Sequence, residues 1–334
     1  MPDRHLLGPF IRRFLLEEVV ADRNLTRNTQ RSYRDSIRLL LRFLADRHAT
    51  DPTRVTVEQV TAAVVRGFLV HLEQERGNSV ATRNQRLAAL HSLFRFVASQ
   101  VPELVDLAAQ IRAIPVRRTA QPTMAYLDKP EIDALLAVPD RRRPLGRRDY
   151  ALLLFLYNTG ARATEAAEVT VGALTLGTPP SVRFLGKGRK TRLCPLWPHT
   201  ADVLRALLGS SLDGPPGAPV FRSVRRQPIT RFGIHALVAR TVAKTAATTP
   251  SLQSKRVTPH TVRHTAAVHL LRSGVEINTI RAWLGHVSLE TTNRYAEIDL
   301  EMKAKALETC AINNPDRTRA WRKDKDLMAF LSSL

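Results

Sequence analysis

Cysteine, long apolar runs and acidic residues are all scarce in this chain, and each scarcity removes a class of function. Two cysteines in 334 residues, Cys194 and Cys310, make no disulfide framework and lack the paired spacing of a zinc site. No uninterrupted apolar stretch approaches the roughly 18 residues of a membrane span. The longest obvious one is residues 151–157. Near the N-terminus LLGPF is short and IRR interrupts it, so no secretory pattern is read there. A soluble protein of the reducing cytoplasm, with no membrane role, is the expectation. No G-x-x-x-x-G-K-[ST] loop offers a nucleotide site. No cluster of carboxylates offers a metal site either, so no cofactor is expected.

Acidic side chains number 30 against 51 basic ones, giving a net charge of +21 and an isoelectric point near 11.1. Residues 1–112 hold 17 basic and 12 acidic side chains, and residues 113–334 hold 34 and 18. A genome rich in arginine codons explains Arg over Lys, but not Arg over acid. Both parts favour a polyanion partner, the second more strongly. Double-stranded DNA is the expected partner. The length allows about two domains, and at 44% hydrophobic residues the chain can bury proper cores.

The first part reads as helix without any strand signal. Residues 9–20 form a short amphipathic segment. Residues 26–47 form a longer one, with Tyr33, Ile37, Leu40 and Leu44 on one face. Beside that face runs a second stripe, Arg27, Arg31, Arg34, Arg38 and Arg42, spaced for a phosphate backbone. Residues 56–74 and 79–99 continue the pattern. The latter places Leu87, Leu90, Phe94 and Val97 inward and predicts Arg83, Arg86 and Arg95 outward. Four helices over roughly 110 residues carry no evident chemistry, and holding DNA is the expected task. The stretch IPVRRTAQPTM, with two prolines and no periodicity, reads as a linker. The expected organisation is a helical DNA-clamp domain over 1–112, a linker over 113–125, a catalytic domain over 126–310 and a tail helix over 311–334.

The second part carries the chemistry. Thr258 and Pro259 suit the cap and first turn of a helix. His260 and Arg263, three residues apart, then point the same way from it. Gly274 ends that helix, Gly285 closes a second short one, and His286 and Tyr295 follow. A phenol with an ordinary pKa of about 10 is a poor nucleophile at neutral pH. It becomes useful when cations stabilise the charge developing on its electrophile. An electrophile served by arginine and two histidines points to a phosphate. Upstream, Arg162 follows a strongly apolar helix over 147–158, with Glu165 as its same-face partner. Two short alternating strands over 181–185 and 191–196 are joined by Gly186-Lys187-Gly188-Arg189-Lys190, a hairpin with a cationic tip.

The segment Thr159-Gly160-Ala161-Arg162-Ala163-Thr164-Glu165 resembles the first arginine motif of the tyrosine recombinase (phage integrase) family. Gly186-Lys187-Gly188 is similar to its hairpin lysine, His260-Thr261-Val262-Arg263-His264 to its H-x-x-R-H box, and Leu284-Gly285-His286 to its L-G-H. Tyr295 stands where the family has its nucleophile. The resemblance covers about 128–300, with the helical part similar to the family's core-binding domain. It implies a mainly α fold with a small β-sheet in a mixed α/β catalytic domain.

It also implies that Tyr295 attacks a DNA phosphodiester to give a 3′-phosphotyrosyl bond and a free 5′-hydroxyl. Arg162 and Arg263 would hold the non-bridging oxygens, and Lys187 would protonate the leaving oxygen. His260 would serve proton transfer, His286 would bond the phosphate, and Glu165 would orient Arg162 or His260. His264 is expected to be structural. Arg27, Arg31, Arg34, Arg38, Arg83, Arg86, Arg189 and Lys190 are the expected DNA contacts. A homo-tetramer on DNA is implied as well, and the tail, with Leu327, Phe330, Leu331 and Leu334 on one side, is expected to dock on a neighbouring protomer. A type IB topoisomerase or telomere resolvase uses a similar constellation, and a non-catalytic DNA-binding protein is the alternative of another class.

Overall fold

A computed structural model describes residues 5–48, 51–119, 124–185 and 191–285. The chain divides into two compact units, Met1–Pro122 and Thr123–Leu334. Lys187, Arg189, Lys190, His286, Tyr295 and the tail lie outside the described residues.

The first unit is built from helices α1 (Leu7–Arg13), α2 (Arg27–His48), α3 (Ala62–Gln74), α4 (Val80–Gln100) and α5 (Val105–Arg112). Between α1 and α2 the chain winds as a π-helix, Phe14–Asp22. The apolar spacings read from the sequence close into one core, with Phe14, Leu40, Phe68, Leu87, Leu90 and Phe94 all fully buried. Two expectations are corrected here. Residues 56–61 are not helical: Thr61 caps α3, its hydroxyl accepting from the Val64 amide at 3.3 Å. Val57 and Val60 meanwhile enter the core from a turn. A fifth helix, α5, follows Pro102 and returns the chain across α4.

That return also corrects the reading of Arg83. Arg83 is buried, 5% exposed, and its Nη1 donates to the Pro115 carbonyl and to Asn84 Oδ1, both at 3.0 Å. Glu73 lies beside it at 3.8 Å. Local periodicity put Arg83 outside because it carries no information about a chain that doubles back 32 residues later. Arg86 is half-buried and donates to the Ser32 carbonyl and Ser36 Oγ, tying α4 to α2. The α2 stripe fares differently. Arg27, Arg31, Arg34, Arg38 and Arg42 are all exposed, while Ile37, Leu40 and Leu44 on the neighbouring face are buried.

The second unit contains α6 (Lys129–Ala137), α7 (Pro144–Thr159), α8 (Ala163–Glu168), α9 (Pro198–Leu208), α10 (Arg231–Thr245), α11 (Pro259–Arg272) and α12 (Ile277–Leu284). Strands β1 (Leu174–Thr175), β2 (Ser181–Leu185) and β3 (Thr191–Pro195) form one antiparallel sheet in that order. The hairpin register pairs Val182 with Cys194 and Phe184 with Arg192. From Ala151 to Thr159 α7 is buried all round, with apolar side chains as far as Tyr157, and it runs through the core. It ends at Gly160, whose φ of +58° is left-handed. A Cβ there would lie 2.4 Å from Leu284 Cδ2, so the close seat of α12 on this turn depends on glycine. Ile280 and Leu284, both fully buried, pin α12 down, each contributing about 2 kcal/mol. The fold is thus mostly helical with one small sheet, as the sequence leads one to expect.

Candidate active site

The centre of the site is the C-terminal end of α12. A helix end leaves its last carbonyls without partners inside the helix. Here the Gly285 amide turns back to Arg281 and Ala282, closing the first of them through a left-handed Gly285 with φ of +67°. The next three carbonyls each receive a guanidinium. Trp283 O accepts from Arg192 Nε at 3.1 Å, Leu284 O from Arg263 Nη2 at 2.8 Å, and Gly285 O from Arg162 Nη2 at 3.4 Å. Cations at a helix C-terminus are favoured by its partial negative charge as well.

Arg263 comes from the second turn of α11. Thr258 caps that helix, its hydroxyl accepting from the Thr261 amide, and Pro259 occupies the first position. The Arg263 side chain is 2% exposed and also donates from Nη1 to Gly160 O at 2.6 Å. Two rigid helix ends therefore fix one guanidinium in depth. His260, one turn before it, is exposed, and its ring meets that of His264 with centroids 4.1 Å apart. His264 is buried, consistent with the packing role expected of it.

Arg162 precedes α8 and is more open, its side chain 45% exposed. Glu165 holds it twice: Oε2 accepts from the Arg162 amide at 2.7 Å and Oε1 from Arg162 Nη1 at 2.9 Å. The Glu165 side chain is itself 9% exposed. Burial alone would push its pKa up. The Arg192 fork, the Arg162 amide and the charges of both arginines override that and bring it down to about 2. Glu165 is therefore an ionised acceptor at any ordinary pH, unfit to move protons.

Of the expected set the structure brings together the catalytic Arg162 and Arg263 with the supporting Glu165, and His260 stands one turn before Arg263 on α11. Lys187, His286 and Tyr295 are outside the described residues. Arg192 was missed by the sequence reading. Both its terminal nitrogens donate to Glu165, at 2.7 Å each. A signal was present: β3 alternates so that Arg192 shares a face with buried Cys194 while Leu193 is 67% exposed. An arginine in the inward register of a strand, with leucine in the outward one, is an inversion that asks for an explanation. Burial raises the Cys194 thiol pKa to about 12, which leaves it an inert packing group. Among the described residues no group of His, Cys, Asp and Glu could hold a metal ion.

The sequence profile of the phage integrase family matches residues 125–302, and that of the phage integrase N-terminal SAM-like domain matches residues 11–100. The Sinorhizobium fredii protein named integrase/recombinase y4rC is 39% identical over 328 residues, covering 98% of each chain. Tyrosine recombinase XerC of Pelobacter propionicus is 30% identical over 291 residues, 87% of this chain and 91% of that one. The fold is similar to that of XerH recombinase bound to a palindromic difH substrate, with TM-score 0.66, 19% identity, and 85% and 80% of the two chains covered. It is equally similar to the Tn1549 transposon integrase in complex with transposon right-end DNA, with TM-score 0.67, 16% identity, and 92% and 100% covered.

Proposed function

The chain belongs to the phage integrase family and is a tyrosine-type site-specific DNA recombinase, and on that premise we propose which residues perform the chemistry. Tyr295 attacks a DNA phosphodiester in line, forming a 3′-phosphotyrosyl bond and releasing a 5′-hydroxyl. His260 takes the phenolic proton, and Lys187 gives one to the leaving 5′-oxygen. Arg162 and Arg263 bind the two non-bridging oxygens, where negative charge grows in the transition state. His286 donates to the same phosphate. The reverse attack by a 5′-hydroxyl reseals the strand. Because the phosphotyrosyl bond retains the phosphodiester energy, the reaction requires no ATP. The two guanidinium groups supply the charge that a divalent cation supplies elsewhere.

One observation carries this reading: Arg162 and Arg263, 101 residues apart in sequence, converge on adjacent carbonyls of a single helix end. A pair of guanidinium forks held this way is a preorganised oxyanion site. The exposed α2 arginines support the companion role of the N-terminal unit in gripping the duplex backbone, which positions rather than specifies. Arg189 and Lys190 add to this beside the hairpin lysine. The domain limits proposed are 1–112, 113–125, 126–310 and 311–334. We further propose work in the cytoplasm and assembly as a homo-tetramer on DNA, with the tail docking on a neighbouring protomer.

The test is a covalent trap. Wild-type chain and Tyr295→Phe are incubated with nicked duplexes taken from the DNA flanking the gene, then denatured. The expected result is protein that stays attached for wild type only, with the attachment in the peptide containing Tyr295. An adduct that survives Tyr295→Phe would assign the nucleophile elsewhere. Relaxation of supercoiled plasmid lacking any specific site would favour the topoisomerase alternative.

A further inference from the structure

We propose that Arg192 on β3 is the positioning residue of this site, locking the Glu165 carboxylate and the end of α12 into one frame and so setting where the Arg162 guanidinium points. The inference rests on the reading of Arg162 and Arg263 as phosphate ligands.

Glu165 is the link. Its two oxygens receive four donors: Arg162 Nη1 and Arg192 Nη1 on Oε1, the Arg162 amide and Arg192 Nη2 on Oε2. Without the Arg192 fork, the carboxylate would answer only to Arg162 and would follow that side chain instead of restraining it. Arg192 is restrained in turn from three other directions. Nε reaches Trp283 O. Its guanidinium carbon stands 4.4 Å from the centre of the Phe184 ring. Gly285 leaves room for its stem, since a Cβ there would lie 2.9 Å from Arg192 Cδ. One side chain therefore joins the sheet, the start of α8 and the end of α12. The carbonyls next to its own on α12 are those that receive Arg263 and Arg162.

Arg192 differs from Arg162 in what remains for a ligand. Its side chain is 10% exposed against 45%, and each of its three nitrogens already donates to protein. It does not reach for substrate. Nor is stability an adequate reason for its presence, because a buried ion pair replaced by apolar groups of like volume is often neutral or stabilising. What the pair provides is direction.

The experiment uses the full chain with Arg192→Gln, Arg192→Lys, Glu165→Gln and the Arg192→Gln/Glu165→Gln double variant. Covalent attachment to the nicked flanking-DNA duplex is followed in single turnover against pH, and Glu165 is titrated by carboxyl ¹³C resonance without DNA. Arg192→Gln is expected to cut the attachment rate about 100-fold, the scale of a misplaced group, with duplex affinity changed less than twofold. The Glu165 carboxyl resonance should titrate more than one pH unit higher than in wild type. Arg192→Lys should keep part of the lowered Glu165 titration but not the rate, since an ammonium lacks the fork. In the Glu165→Gln background, Arg192→Gln should cost less than a further twofold. If Arg192→Gln does not fold, Arg192→Lys carries the same rate readout. An Arg192 variant, folded by circular dichroism, with unchanged attachment rate and unchanged Glu165 titration overturns the inference. Full multiplicative loss in the double variant does the same. Wild-type chain that binds the duplex without attaching defeats instead the phosphate reading.

Discussion

Arginine is used in opposite ways in the two units. On α2 five guanidinium groups stand in an exposed row beside a buried apolar face. Around α12 three are drawn toward one helix end, two of them nearly out of water. The first arrangement is inexpensive and tolerant: exposed charges cost little to hold, and their spacing would suit a backbone that repeats. The second is costly and exacting, because a buried guanidinium must find an acceptor for its donors or lose its solvation without return. The N-terminal unit has an instance of this second kind as well. Arg83 is buried on carbonyl and amide oxygens, and no catalytic role is proposed for it. Burial alone is therefore not the mark of a site. The mark is convergence of several such groups with one of them, Arg162, still open to solvent.

That contrast is most sharply broken by Arg263→Ala. Covalent attachment should fall by about 10³-fold or more, the effect of removing a principal oxyanion donor. Two buried carbonyls would also lose their partner, a stability loss of roughly 1–3 kcal/mol each, read by urea denaturation. An attachment rate within tenfold of wild type would show that Arg263 is structural like Arg83.

A smaller effect concerns the carboxylate between the arginines. Glu165 has its pKa lowered from 4.5 to about 2. The folded state thus gains roughly 3 kcal/mol that is fully present above pH 4.5 and is lost as the pH falls toward 2. Glu165→Gln should remove that dependence, so that its urea midpoint declines less steeply than wild type between pH 4.5 and 2. Identical slopes would mean that Glu165 is not the ionised anchor described.

The smallest effect separates exposed from buried arginine within the first unit. Arg31→Ala with Arg38→Ala should leave stability within about 0.5 kcal/mol. Each should flatten the log–log salt dependence of duplex binding by about 0.9 if it contacts a phosphate. Arg83→Ala should do the reverse, costing about 1–3 kcal/mol of stability without altering the salt slope. A salt slope that responds to Arg83 would return it to the DNA contacts.

Much of this is legible in the sequence alone. The cap at Thr258, the apolar α7, the hairpin strands and the stop at Gly285 all follow from local chemistry, and the helices begin and end near where those signals fall. The capping of α3 at Thr61 is not, because residues 56–60 carry helix-compatible side chains whose burial is decided by the core they turn into. The outward reading of Arg83 failed for a similar reason, its acceptors lying on a returning segment.

The sequence by itself determined the family, and supplied the residue types and order of the proposed site, because motif spacing and helix signals are local and survive without a fold. Only the tertiary structure decided which partner each charge takes. The fork between Arg192 and Glu165 spans 27 residues, and the bond from Arg162 to Gly285 spans 123. No periodicity reaches that far. Charges find such partners when the core of α7, α11 and α12 closes and removes the water that would otherwise have served them.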